Sequence, residues 1–217
     1  MTRTALALLA AGGAFLLSGA AQAKAPPDGV DVCGPLACTH MEFAAAEQLW
    51  VAAYSPYSAT RAAPAPFYVL HWHWNPGAEN NESAYLIPGA LTIRWNAGNG
   101  HPSGWSAVDK SAADVLAQVA ARIEPYAMPT LTRVTVGGRE VQNPETYIRL
   151  LSGKRTFASV KGPWLRITFE SATPSPWTDG SAIVRLSKRH PYVQIDGFLY
   201  KLARTDAVRA RKGLSLD

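Results

Sequence analysis

The alternation of hydrophobic and polar positions predicts strands over much of this chain. FYVLHWHW, residues 67–74, is rich in aromatic and branched side chains, which favours a strand. WLRITFE, residues 164–170, alternates apolar and polar residues as a half-buried strand does. Residues 131–141 and 192–202 each predict a hairpin, the first around Gly-Gly and the second around a type I′ Asp-Gly turn. The second hairpin places four residues on one face, namely Val193, Ile195, Phe198 and Tyr200.

Helical spacing of apolar residues occurs in three shorter stretches. Residues 39–54 begin with the capping-box pattern THME and continue with apolar residues at helical spacing. Residues 111–124 begin with a second capping box, formed by Ser111 and the aspartate three residues later, and Pro125 ends this helix. Residues 143–151 begin with Asn-Pro, which starts a short helix. These elements predict an α+β fold, mainly an antiparallel sheet with two or three helices packed on it.

The N-terminal residues 1–23 have the features of a signal peptide. Arg3 supplies a positive charge, residues 5–17 form an apolar run, and Ala-Gln-Ala at 21–23 matches a cleavage site. A retained anchor is the alternative, but the apolar run is shorter than the roughly 20 residues that cross a bilayer. We expect cleavage near Ala23, no transmembrane span afterwards, and a protein that is secreted or held in the periplasm or cell envelope.

Composition and charge limit the remaining possibilities. With 217 residues, 47% of them hydrophobic, the chain can bury a full core, so global disorder is excluded. We predict a single α+β domain over 24–203. Cleavage of the signal peptide would remove Arg3 and lower the formal net charge from +5 to +4. This small excess of positive charge predicts no nucleic-acid partner. Residues 204–217 hold several of these cations without apolar periodicity and are predicted to form a basic flexible tail. The alternative is electrostatic adhesion of this tail to an anionic envelope or to nucleic acid.

The chain has two cysteines, Cys33 and Cys38. A thiol pair normally oxidises after export, and the intervening residues 34–37 form a turn that places the two cysteines opposite each other in a hairpin. We therefore predict a structural disulfide. A redox site would instead have the spacing C-x-x-C, and zinc could use both cysteines with His40 but would need a fourth ligand.

Three segments carry a family resemblance. They are a signal peptide followed by a CG...C pair, the mid-chain stretch LTRVTVGGREVQNPETYIRLL, and the late stretches SPWTDGSAIVRL and VQIDGFLYKL. Over most of the mature chain the sequence resembles a set of uncharacterised exported proteins from GC-rich bacteria, actinobacteria especially. The motifs are turn and core residues, so the resemblance implies no activity and no role for any residue.

The strand histidines are the candidate metal ligands. The period of two along a strand places His71 and His73 on one face, and H-x-H on a strand is used by some zinc enzymes. A third ligand would come from one of five residues: His101, His190, Glu79, Glu82 or Asp109. The alternative is a pair of half-exposed sheet histidines, and we expect no cofactor.

Two loops carry candidate binding residues. His101 lies in the glycine-rich loop NAGNGHPSGW, where it could act as an acid or base. Trp177 and Asp179 lie in TPSPWTDGS, where the indole could stack on a sugar or peptide, or could instead seal the edge of the core. A triad of Ser181, His190 and Asp179 is conceivable, but no G-x-S-x-G motif marks a nucleophile.

Two functional hypotheses follow from the sequence. The first is a non-catalytic exported module that binds a protein, peptide or glycan at the cell envelope or outside the cell. The alternative is an exported metal-assisted hydrolase with His71 and His73 as ligands.

Overall fold

A computed structural model describes residues 26–54, 60–74, 82–96, 104–173, 175–178, 182–187 and 189–213. Within these residues, three α-helices occur, α1 (Phe43–Tyr54), α2 (Lys110–Ala120) and α3 (Arg204–Gly213), with two short 3-10 helices at Pro88–Ala90 and Pro144–Leu151. The strands are β1 (Gly29–Cys33), β2 (Cys38–Glu42), β3 (Thr60–Arg61), β4 (Tyr68–His73), β5 (Glu82–Ile87), β6 (Thr92–Trp95), β7 (Gly104–Ala107), β8 (Leu131–Val136), β9 (Arg139–Glu140), β10 (Gly153–Thr156), β11 (Leu165–Ser171), β12 (Ala182–Arg185), β13 (Tyr192–Ile195) and β14 (Phe198–Lys201).

The strands form two antiparallel sheets. Sheet A has six strands in the order β2-β1-β4-β5-β6-β7, and sheet B has eight in the order β3-β10-β14-β13-β12-β11-β8-β9. The predicted α+β fold is confirmed. None of the described helices combines the length and apolar character that a membrane crossing requires.

Sheet A separates two hydrophobic cores. One face, represented by Leu70 and Trp72 of β4, packs against α1 and α2 through residues such as Leu49 and Leu116. The opposite face packs against sheet B, with Tyr85 among the residues that join this second core. Strand β4 therefore contributes to both cores, and alternate side chains along it face opposite layers.

The predicted disulfide hairpin is confirmed. Cys33 and Cys38 are bonded, pair directly in the β1–β2 ladder, and have Cα atoms 4.0 Å apart. The backbone N–H of Gly34 donates to the carbonyl of Ala37 at 2.9 Å and closes the turn. The hairpin fixes the register of β1 against β2 at the edge of sheet A.

The predicted Asp-Gly hairpin is also confirmed. Asp196 and Gly197 have φ angles of 51° and 79°, the left-handed values that a type I′ turn requires. Ile195 then pairs with Phe198 in the β13–β14 ladder. The two-residue turn therefore gives the predicted register.

The predicted capping box at residues 39–42 is wrong, because these residues belong to β2 and pair with β1. The disulfide hairpin keeps this segment extended, so α1 begins only at Phe43. The N-cap of α2 is Asp109 rather than Ser111: its Oδ1 accepts hydrogen bonds from the backbone N–H of Ala112 at 2.9 Å and from the hydroxyl of Ser111 at 2.8 Å.

The predicted flexible tail is wrong for residues 204–213, which form α3. Ala207 and Ala210 lie on one side of this helix and are buried. The hydroxyl of Tyr147 donates to the carbonyl of Ala210 at 2.6 Å. Because alanine side chains are small, α3 packs closely against the core although it lacks the strongly apolar face of most packed helices. The folded domain therefore continues beyond residue 203.

A buried charged cluster connects the two sheets. Arg61 of β3 and Arg94 of β6 are almost fully buried. The Oδ2 atom of Asp196 lies 3.6 Å from Nη1 of Arg61 and 3.7 Å from Nη2 of Arg94. Arg94 is in sheet A, and Asp196 is in the β13–β14 turn of sheet B. The Asp196 carboxylate therefore forms an electrostatic contact between the two sheets.

Candidate metal site

Asp31 is the centre of a polar row that crosses three strands of sheet A. Its neighbours Val30 and Val32 are fully buried on the helix side of the sheet. Asp31 pairs with His40 of β2 on one side and with His71 of β4 on the other. Residues directly opposite each other share a face of the sheet, so these three side chains project away from α1 and α2.

The next row places Gly29 between Glu42 and His73. A Cβ atom at Gly29 would lie 2.8 Å from Cε1 and 2.9 Å from Nε2 of His40. The imidazole of His40 therefore occupies the space that a side chain at position 29 would fill. The ring centroids of His40 and His73 are 6.1 Å apart, so the two imidazoles converge over β1.

The carboxylate of Asp31 lies between these two imidazoles. Its Oδ1 is 2.7 Å from Nδ1 of His40, and its Oδ2 is 2.9 Å from Nε2 of His73. One potential ligand atom from each of the three residues lies within 4.8 Å of the others. On the outer side of His40, the Nε2 atom lies 3.7 Å from Oε1 of Glu42.

The Nε2 atom of His73 is inaccessible to solvent and faces the carboxylate of Asp31. Oδ2 of Asp31 lies 2.9 Å away, so this carboxylate is the polar partner of the ring nitrogen. Each of the two imidazoles therefore directs one nitrogen towards a different oxygen of the same carboxylate.

The surroundings of the cluster shift the pKa of Asp31 and of its neighbour His71. Burial raises the pKa of the Asp31 carboxyl, but the hydrogen bond with His40 and the interactions with His73 outweigh it and lower the pKa overall. Burial lowers the pKa of His71, the negative charge of Asp31 opposes this shift, and His73 adds to it. At neutral pH the site therefore presents an ionised Asp31 beside a neutral His71.

The cluster lies at the margin of the core between the sheets. On β4 and β5, Val69 and Tyr85 pack against sheet B. The rows of Asp31 and Gly29 lie beyond this contact. The side chains of His40, His73 and Asp31 are 52%, 35% and 32% exposed, so solvent and small solutes can reach the cluster.

The H-x-H prediction identified one of these three residues. His73 belongs to the cluster, whereas Nδ1 of His71 lies 3.1 Å from the hydroxyl of Ser83 on the neighbouring strand. Among the proposed third ligands, Asp109 caps α2 and His190 is exposed in a loop that precedes β13. The remaining candidates lie outside the described residues: His101, Glu79 and the side chain of Glu82.

Sequence reasoning did not consider Asp31 as a candidate ligand, and it considered His40 only as a partner of the cysteines. The predicted cysteine hairpin nevertheless indicated that Asp31 and His40 lie close together. If Cys33 pairs with Cys38, a step of two residues along each strand places Asp31 opposite His40. The approach of His73 to Asp31 depends on the pairing of β1 with β4, and these two strands are separated along the chain by β2, α1 and β3.

The prediction of Trp177 as a stacking surface is wrong. This side chain is 1% exposed, and its Nε1–H donates to the carbonyl of Ala62 at 2.8 Å. Its ring contacts Phe67 and Trp105, with centroids 5.9 and 5.8 Å away. Trp177 therefore belongs to the core, the alternative considered for it. The other binding or triad candidates in the loops lie outside the described residues: His101, Asp179 and Ser181.

Two imidazoles and one carboxylate form a ligand set typical of divalent transition metals. Zinc sites of this kind use three protein ligands and leave a fourth position for water, and iron(II) sites use the same residue types. Comparisons with protein-family models, with curated proteins and with solved structures gave no match. The chemistry of the cluster itself therefore carries the functional argument.

Proposed function

We propose that this protein is an exported module that binds a divalent transition-metal ion, best fitted by Zn²⁺, through Asp31, His40 and His73. The observation that carries the proposal is the convergence of their ligand atoms within 4.8 Å of one another on a half-exposed sheet face. The position of the Asp31 carboxylate supports it, because one of its oxygens lies within 3 Å of a nitrogen of each imidazole.

The ligand set favours zinc over harder cations. Magnesium and calcium prefer oxygen ligands, whereas imidazole nitrogen suits zinc and other late transition metals. Glu42, next to Nε2 of His40, gives that ring the outer carboxylate that ligating histidines commonly have. The exposed side of the cluster leaves room for water or an external ligand to complete the coordination.

Export is part of the proposal. It is supported by the signal-peptide features of residues 1–23 and by the disulfide, since such bonds persist in oxidising compartments. The ligand of this exported module would then be a metal ion rather than a sugar stacked on Trp177, whose burial removes the main support for aromatic recognition.

Zinc titration of the oxidised, chelator-treated full chain tests the proposal. Calorimetry should give one ion per chain. His40→Ala and His73→Ala should each weaken binding by about 10-fold or more, because each removes one of three ligands. His190→Ala is the matched control, since His190 is exposed and lies outside the cluster. Absence of binding, or equal loss in the control, would contradict the proposal.

A fourth variant separates this site from the H-x-H site predicted by the sequence. In the proposed site His71 is a neighbour that contacts Ser83, so His71→Ala should weaken zinc binding much less than His73→Ala does. Equal losses in the two variants would instead indicate that both strand histidines are ligands.

The exposure of the cluster supports metal-assisted hydrolysis as a second candidate function. A zinc ion held by three protein ligands can activate a bound water, and the half-exposed face would admit a substrate. The test compares hydrolysis of p-nitrophenyl acetate by zinc-loaded wild type, by the metal-free protein and by His73→Ala. Zinc-dependent turnover that the variant loses supports hydrolysis, and zinc binding without turnover supports the non-catalytic module.

A further inference from the structure

We propose that a cleft between sheet B and α3 binds a phosphate monoester that carries an apolar group. The described residues that line this cleft are Pro163, Leu165, Arg185, Leu186, Ser187 and Arg211. None of them belongs to the candidate metal site. The inference therefore goes beyond the proposed function and does not depend on it.

The cleft lies at one end of a pair of strands. Leu165 is the first residue of β11 and Arg185 is the last residue of β12, and these two strands pair with each other. Arg211 reaches the same cleft from the last turn of α3. The cleft has a volume of about 390 Å³, which lies within the range of roughly 300–1,000 Å³ that small-molecule sites occupy.

Two arginines share this small space without an acidic partner. Both Arg185 and Arg211 are half-buried. In the part of the chain that the structure describes, neither has a carboxylate at ion-pair distance, in contrast to Arg61, Arg94 and Arg133. None of the described lining residues is acidic. An anion bound between the two guanidinium groups would offset their mutual repulsion.

The guanidinium group of Arg185 packs against a glycine. A Cβ atom at Gly162 would lie 2.8 Å from Nε, 3.2 Å from Nη2 and 3.3 Å from Cζ of Arg185. The φ angle of Gly162 is 135°, a value that favours glycine. The guanidinium group therefore occupies space that a side chain at position 162 would fill. This contact restricts the group before a ligand binds, which lowers the entropic cost of binding.

The polar lining matches a phosphate monoester. Guanidinium groups bind phosphate through paired N–H donors, and two of them balance the charge of nearly −2 that a monoester carries at neutral pH. A carboxylate would balance only one. The hydroxyl oxygen of Ser187 accepts a hydrogen bond from the backbone N–H of His190 at 3.4 Å, so its own O–H can donate to a phosphate oxygen.

The rest of the lining selects an apolar group on the ester. Leu165 and Leu186 are partly buried and pack against the core between the sheets, and Pro163 completes the apolar wall. Inorganic phosphate cannot use this wall. A soluble ester and the phosphate monoester headgroup of a lipid share the required chemistry, and the experiment separates these two sources.

The experiment measures binding of phenyl phosphate to the chelator-treated full chain at neutral pH and low salt. Removal of metal prevents a zinc ion from binding the phosphate in place of the cleft. Calorimetry should give one phenyl phosphate per chain. Phenyl phosphate should bind about 10-fold or more tightly than inorganic phosphate, because only the ester buries an apolar surface.

Charge variants test the two arginines. Arg185→Gln and Arg211→Gln should each weaken phenyl phosphate binding by about 10-fold or more. Arg166→Gln is the matched control, because Arg166 follows Leu165 in β11, is exposed and points to the opposite face of the strand. It should weaken binding by no more than about 2-fold. Leu186→Ala should weaken binding of phenyl phosphate but not of inorganic phosphate.

Vesicle flotation identifies the source of the ester. Vesicles of phosphatidylcholine with phosphatidic acid should retain the protein, and Arg185→Gln should release it, if a lipid headgroup is the ligand. Binding of phenyl phosphate without binding to these vesicles supports a soluble ester. The inference is overturned if neither probe binds, if Arg166→Gln loses as much affinity as Arg185→Gln, or if inorganic phosphate binds as tightly as phenyl phosphate.

Discussion

Nδ1 of His40 lies 2.7 Å from Oδ1 of Asp31, directly across the β1–β2 hairpin. This contact joins the edge strand of sheet A to the strand that also pairs with β4, and β4 carries His73. Asp31 is therefore the residue on which the candidate site depends, because its two carboxylate oxygens lie within 3 Å of a nitrogen of His40 and of His73.

Substitution of Gly29 should damage the site without removing a ligand. In Gly29→Ala, the new Cβ would lie within 3 Å of the His40 ring and of the Met41 carbonyl, so the ring must move away from Asp31. We expect zinc affinity of the oxidised protein to fall by about 10-fold, measured by calorimetry. Gly89→Ala is the matched control, because its Cβ would meet nothing within 4 Å. Unchanged zinc affinity in Gly29→Ala would mean that binding does not depend on the position of the His40 ring.

Neutralising Asp196 should destabilise the contact between the sheets. Asp196→Asn keeps a residue type that tolerates the left-handed turn but removes the charge that faces the buried guanidinium groups of Arg61 and Arg94. We expect the free energy of unfolding in urea to fall by about 2–5 kcal/mol. Asp114→Asn, at an exposed position of α2, should change it by less than about 0.5 kcal/mol. Similar values for the two variants would contradict the role of the buried cluster.

Tyr147 should make the protein sensitive to alkaline pH. Burial raises the pKa of Tyr147 to about 12, from an ordinary value of 10.0. Since the folded state holds this proton more tightly than the unfolded state does, stability falls as pH rises from about 10 towards 12. Urea unfolding at pH 8 and pH 11 measures the fall. Tyr147→Phe should show a smaller fall between these two values, and an equal fall would exclude this residue as a contributor.

The same variant tests the docking of α3 at neutral pH. Tyr147→Phe removes the donor to the Ala210 carbonyl and leaves that buried group without this hydrogen bond. We expect a loss of about 1–3 kcal/mol in the free energy of unfolding at pH 8. Hydrogen exchange should increase in α3 before it increases in sheet A. No change in either measurement would contradict a stabilising contact between this tyrosine and the helix.

Trp177→Phe should test whether this residue belongs to the core. The substitution removes the donor to the Ala62 carbonyl and leaves a cavity beside Phe67 and Trp105. We expect a loss of about 2 kcal/mol or more in urea unfolding. Trp164→Phe, at a partly exposed position, should cost less than about 1 kcal/mol. A Trp177→Phe protein of wild-type stability would show that the indole does not hold the core together.

Much of the local structure could be predicted because neighbouring residues determine it. The Asp196-Gly197 turn has the backbone angles that its residue types favour, and the register of its hairpin follows from the two-residue loop. The sequence also predicted that Trp72 lies on the opposite face of β4 from His71 and His73, because successive side chains of a strand point to opposite faces. Where two local signals competed, as at residues 39–42, the pairing with β1 overrode the capping pattern.

The candidate site was only partly predictable because its residues come from three strands. The sequence by itself determined the cysteine hairpin, the face on which His73 lies and, through that hairpin, the pairing of Asp31 with His40. Only the tertiary structure decided that β4 lies beside β1 in the register that brings His73 to Asp31. The same is true of Ala210 and Tyr147. These contacts depend on how separate elements pack, and packing is set by the shape of both cores rather than by the spacing of residues along the chain.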